Sequence, residues 1–162
     1  MGGEAHANRP GQQGWVGDPG TLYEVSRVKI VEFAEAIGDP NPVYRDLAVA
    51  RLAGYCDVIA PPTFGVVVAL PASIAAAREV FAGTGSPVIV HVEQRFDYTR
   101  PIQAGDVLHA ESVVTNVREV RGTMMITTRT ELRAVGGEHI CTASMTLAKI
   151  PGDGDSDRPP HS

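Results

Sequence analysis

The stretch IGDPNPVYRD, residues 37–46, gathers a carboxylate, a carboxamide and a phenol within a few residues. Asp39 is a candidate acid–base group, since a carboxylate ionised at neutral pH can take a proton from carbon or water. Asn41 is better suited to structure than to chemistry, because its side chain can tie the turn that aims its neighbours. Tyr44 can donate a hydrogen bond, but a phenol with a pKa near ~10 exchanges its proton poorly at neutral pH. Each has a plainer reading. Asp39, before Pro-Asn-Pro, is on local features alone a turn former, and Tyr44 can be an aromatic plug.

Other residues of the right type are less pointed. His91 in VIVHVEQRFDY alternates with Glu93 and Arg95 on one strand face and with Val90 and Val92 on the other. A lone strand histidine of this kind reads as surface or interface. Arg95 and Arg100, like Arg118 and Arg121, could meet phosphates, and a solvated edge explains them equally well. Gly105-Asp106 in IQAGDVL reads as a tight turn that starts a strand. No zinc spacing, P-loop, GxGxxG or GxSxG occurs, which sets aside metal, nucleotide and serine-hydrolase chemistry. Nineteen acids against fourteen bases give a net charge of -5 without a dense basic run. A nucleic-acid surface is therefore not expected. Cys56 and Cys141 lack redox or metal spacing and read as buried, reduced thiols. The first residues have no apolar h-region and no 18-residue apolar run occurs, so a cytoplasmic, soluble protein is expected.

The elements that must position these residues follow from periodicity. Residues 1–20 and 151–162 are rich in Gly, Pro and polar side chains and are expected to be mobile tails, although Trp15 could be pinned to the body. One domain spans 21–150. SRVKIVEFAEAI predicts a helix capped by Ser26, with Val28, Val31, Phe33 or Ala34, and Ile37 on its apolar face, closed by Gly38. RDLAVARLAG predicts a short helix closed by Gly54. FGVVVALPASIAAAREVF, apolar nearly all round, predicts a buried helix broken near Pro71. From Pro87 the period becomes two, predicting a meander of long antiparallel strands with Gly-bearing hairpin turns. Helices followed by strands make an α+β domain. A sheet wrapped around a central apolar helix is a hotdog fold, whose open edge strand invites pairing as a dimer.

FAEAIGDPNPVYRD, then AGYCDVIAPPTF, then YTRPIQAGDVL together resemble the MaoC-like, (R)-specific enoyl hydratase/dehydratase family. They are most similar to the actinobacterial subgroup with the substrate-binding subunit of the mycobacterial (3R)-hydroxyacyl-ACP dehydratase. The resemblance covers roughly residues 23–149. It implies Gly-Asp-x-Asn-Pro-aliphatic-His as the complete motif, which carries Gly38, Asp39, Asn41, Pro42 and Val43 over unchanged and places Tyr44 where the histidine belongs. It also implies a His-Gly after VIA, whose glycine amide helps hold the thioester carbonyl, whereas this chain has Pro61 and Pro62. Proline has no N–H, so that donor is missing. Amides of Thr63, Phe64 or Gly65 could serve instead at the helix start.

The expectation is a subunit of a (3R)-hydroxyacyl-thioester dehydratase or enoyl hydratase with an incomplete dyad. Asp39 and Tyr44 are its catalytic candidates, and Asn41, Pro62, Thr63, Phe64, Gly65, Val67 and Val68 its substrate-binding ones. Phe64, Val67 and Val68 would line an acyl tunnel. No cofactor is expected; acyl-CoA or acyl-phosphopantetheine would be substrate. The partner would be a second copy or a catalytic MaoC-like hotdog subunit. The alternatives are a self-sufficient homodimeric hydratase using Asp39, and a non-catalytic acyl-thioester-binding protein. A hotdog thioesterase ranks last, because TFGVVVALP offers no carboxylate.

Overall fold

The structure is a computed structural model and describes residues 22–81 and 88–150. The expected tails and Trp15 lie outside the described residues. Serine at position 26 accepts the amide of Lys29 and opens α1 (Arg27–Ala36). Gly38, at φ +70°, closes it, since only glycine takes that left-handed conformation without strain. A 3-10 turn (Pro42–Tyr44) leads to α2 (Leu47–Leu52), which Asp46 caps through the amides of Ala48 and Val49. The long helix α3 (Gly65–Val80) follows. Strands β2 (Val88–Tyr98), β3 (Val107–Val120), β4 (Thr123–Ala134) and β5 (His139–Ile150) complete the domain, and Tyr23–Glu24 forms a two-residue β1. The sheet is antiparallel throughout, in the order β1-β3-β4-β5-β2. It packs on α3 through β3, β4 and β5. This is the α+β hotdog arrangement expected from the sequence.

The inner face of the sheet alternates as a half-buried strand must. Ile126, Thr128, Thr130 and Leu132 of β4 point toward α3 and are fully buried. Between two apolar clusters runs a chain of hydroxyls, with Ser73 of α3 bonded to Thr130 at 2.9 Å and Thr130 to Ser112 at 3.0 Å. Burying these groups is tolerable only because each finds a partner. The β3–β4 turn places Arg121 and Gly122 at φ 51° and 78°, both left-handed, as a two-residue hairpin turn requires.

Several expectations need correction. The buried face of α1 is Ile30 and Ala34, while Val28 and Ile37 are exposed. VKIVEFAEAI carries apolar residues on two faces. Ile30 and Ala34 are the pair that joins the main apolar cluster, and the Arg27–Asp57 ion pair at 2.7 Å tethers the exposed amino end of the helix. Helix α3 is not broken at Pro71. Proline removes one helical hydrogen bond, but Pro71 sits on the exposed side, and Val68, Ala69, Ser73, Ala76 and Ala77 hold both halves against the sheet. The strands form a meander only over β3, β4 and β5, because β2 crosses to the far side of β5. A bulge between His91 and Glu93 pairs His91 with Leu147 and Glu93 with Thr146, so His91 leaves the face it was expected to share with Glu93 and Arg95. Cys141 is buried but Cys56 is exposed, and both are free thiols.

Candidate active site

The turn after α1 is built from two nested side-chain bonds. The Asp39 carboxylate accepts the Asn41 amide at 3.0 Å, and the Asn41 side-chain oxygen accepts the Val43 amide at 3.1 Å. Each is the local bond that suits Asp and Asn to turns. The Asp39 amide is itself pinned to the Ala34 carbonyl at 2.9 Å, and the Arg45 guanidinium donates to the Asp39 carbonyl oxygen at 3.0 Å. The chain then dives inward, burying Val43 and Tyr44, the latter 6% exposed. Burial, then the Asp39 charge and a hydrogen bond to it, push the Tyr44 hydroxyl above the ordinary tyrosine range. The structure thus brings Asp39 and Tyr44 together, with the phenol kept neutral beside the carboxylate.

The second part of the site is the amino end of α3. Phe64 is fully buried, its ring edge-on to Phe33 at 5.3 Å and to Tyr23 at 6.3 Å. It lies in the same buried cluster as Val43 and Tyr44, so one apolar unit holds both parts of the site. Thr63 and Pro62 are exposed, Gly65 and Val68 buried, and Val67 half-buried. Phe64 is therefore enclosed by aromatic rings, and Val67, like Val66, keeps an open side. The Phe64 amide donates to the Pro61 carbonyl at 2.9 Å, which removes it as a donor for a substrate. Tyr98, passed over in the sequence, reaches this end of α3 from β2 and donates to the Pro62 carbonyl at 2.8 Å. Its inward alternation with Phe96 was the signal available.

The arginines divide. Arg100 grips the buried Asp106 with two bonds of 2.9 Å and Glu138 with bonds of 2.9 and 3.0 Å. Asp106 also accepts the Gln103 amide at 2.9 Å, and Gly105 stands at φ 89°, so Gly105-Asp106 forms the turn that starts β3. Arg95 pairs with Asp97 at 2.9 Å. Neither guanidinium is free for a phosphate. Arg118 and Arg121 are exposed. Among the described residues no group of three His, Cys, Asp or Glu side chains is placed to hold a metal, and no helix is long and apolar enough to cross a membrane.

Residues 12–143 match the family model described as the FAS1-like, dehydratase domain region. The chain belongs to this family. A UPF0336 protein of Thermobifida fusca is 45% identical over 134 residues, covering 83% of this chain and 88% of its own. A solved structure described as a MaoC-like dehydratase is 34% identical with a TM-score of 0.71, covering 83% of this chain and 41% of that one. The C-terminally truncated HadBC (3R-hydroxyacyl-ACP dehydratase) complex of Mycobacterium tuberculosis is 30% identical with a TM-score of 0.67, covering 80% and 90%. Against the complete dehydratase motif named above, this member carries Tyr44 in place of the histidine and Pro61-Pro62 in place of His-Gly.

Proposed function

We propose that this chain is a subunit of a (3R)-hydroxyacyl-thioester dehydratase or enoyl hydratase, shaping the acyl tunnel beside a second hotdog subunit that holds a complete Asp-His pair. The observation that carries this reading is the buried Tyr44, standing beside Asp39 where the motif has a histidine. Elimination of water removes the α proton of the thioester and protonates the departing β-hydroxyl, so the acid–base pair must release and regain a proton at neutral pH. A phenol held above its ordinary range keeps its proton, and one Asp39 oxygen is engaged with the Asn41 amide. Asp39 with Tyr44 is suited to holding a turn or a substrate hydroxyl, not to cycling protons. The half-buried Val67 beside Val68 is where an acyl chain would meet α3. No cofactor enters. The substrate would be acyl-CoA or acyl-phosphopantetheine, which share the same thioester arm. Similarity to a chain of the HadBC complex supports a paired assembly.

The test is turnover with and without a partner. The purified chain should hydrate crotonyl-CoA at least ~10² slower than a complete family member, the loss expected when a general acid–base residue is missing. Adding a hotdog subunit with an intact Gly-Asp-x-Asn-Pro-x-His should restore the rate. In that complex Asp39→Asn should cost less than about threefold, whereas the same change in the partner's motif abolishes turnover. A homodimer that turns over briskly and dies on Asp39→Asn would establish the self-sufficient enzyme instead.

A further inference from the structure

The amino end of α3 is where a helix can present free amides to a carbonyl oxygen. Three of those amides are engaged here: Phe64 donates to Pro61 at 2.9 Å, Val66 to Thr63 at 3.1 Å and Val67 to Phe64 at 2.9 Å. Gly65, in the same turn, meets side chains from across the sheet. Strand β2 aims Phe96 and Tyr98 inward, their rings 5.9 Å apart and tilted by 32°. Gly65 packs so closely beneath them that a Cβ there would lie 2.9 Å from Tyr98 Oη and 2.9 Å from Phe96 Cε1. Glycine is required at this contact by approach, not by backbone conformation.

We infer that Tyr98 closes the amino end of α3 in this chain: its phenolic oxygen, donating to the Pro62 carbonyl at 2.8 Å and seated on Gly65, stands where a thioester carbonyl would have to sit to be held by that helix. A phenol has one proton to give, and this one gives it to the Pro62 carbonyl while its oxygen lies against Gly65. Burial, with the Cys141 thiol behind it, holds the hydroxyl above the ordinary tyrosine range, so it remains a neutral donor at physiological pH. A carbonyl arriving at α3 would have to displace the phenol from Gly65 and break its bond to Pro62. The consequence deepens the reading above, and rests on it: this subunit accommodates the acyl chain but not the reacting carbonyl, and a pair of subunits processes one thioester at a time.

The closure itself is testable without any enzyme activity. Amide exchange of the full chain by nuclear magnetic resonance should show a protected Gly65 N–H, unmoved by added crotonyl-pantetheine. In Tyr98→Phe, which keeps the ring beside Phe96, Gly65 exchange should accelerate at least tenfold and its resonance should move on adding crotonyl-pantetheine. Gly65→Ala, which crowds the phenol, should raise exchange at residue 65 in the same direction. Equal Gly65 exchange in wild type and Tyr98→Phe overturns the closure, as does a wild-type Gly65 resonance that shifts with the thioester. Exchange that accelerates in Tyr98→Phe without any thioester shift overturns the claim that Tyr98 stands in a carbonyl site. None of these outcomes depends on the partner subunit, whose failure to restore turnover would instead count against the dehydratase reading.

Discussion

Tyr44 and Cys141 show how burial decides what a group can do. Cys141 lies opposite Tyr98 in the β2–β5 register, and burial pushes its thiol up to about 11. Cys56 is exposed. Native protein at pH 8 should therefore react with one equivalent of a thiol reagent, and denatured protein with two; two fast equivalents in the native state would contradict the buried position of Cys141. Tyr44, Tyr98 and Cys141 all have folded pKa values raised above their unfolded ones. The native state then holds protons that the unfolded state releases, so this stabilisation is complete below the unfolded values and is lost as pH rises. The window opens near 9, the ordinary thiol value, and extends beyond 10 for the two phenols. Melting temperature should fall steadily from about pH 9 upward, and a flat profile to pH 11 would refute these shifts. The Asp39–Tyr44 pairing was legible in the sequence because both residues belong to one local turn. The Tyr98–Gly65 contact was not, because period two says which way a side chain points and nothing about what lies above it.

At the level of elements, the helix ends were readable and the helix rotations were not. Ser26, Gly38, Asp46 and Gly54 act through backbone groups next to them in sequence, so their roles follow from residue type. The face α1 buries depends on the distant residues of the cluster that Ile30 and Ala34 join, and the place of β2 beside β5 depends on which edge remained open. Gly38 allows a clean measurement. A Cβ there would meet nothing within 4 Å, so Gly38→Ala carries only the cost of φ +70°. That is about 1 kcal/mol, or roughly a 3 °C drop in melting temperature for a chain of this size. A neutral substitution would mean that the turn carrying Asp39 relaxes freely. The Arg100–Asp106 clamp should be far more costly. Asp106 is 8% exposed, so Arg100→Ala leaves a buried carboxylate with the Gln103 amide but without its cation. A loss of roughly 3 kcal/mol is expected by denaturant titration, at the junction of the end of β2 with the starts of β3 and β5 that Arg100, Asp106 and Glu138 tie together.

For the whole molecule the open question of packing is the sheet edge. On one side β1 is only two residues long, and short strands blunt an edge. On the other, β2 presents eleven residues whose outer hydrogen-bonding row pairs with no strand among the described residues, and Val88, Val90 and Val92 are 55%, 38% and 52% exposed. An edge that long and apolar would aggregate unless something pairs with it. A two-fold or pseudo-two-fold partner, aligning its own β2 antiparallel, satisfies the backbone row and covers the valines in one step. The bulge at Val92 limits how far such pairing can run, because it interrupts the regular ladder next to the exposed residues. Light scattering at micromolar concentration should give about twice 17.2 kDa for the chain alone. Val90→Lys with Val92→Lys places two charges on that edge and should leave a folded species of half that mass. The double variant should likewise fail to capture the catalytic partner, so that added partner no longer restores crotonyl-CoA hydration. A wild-type monomer, or a double variant that still dimerises and still supports turnover, would move the interface elsewhere on the protein.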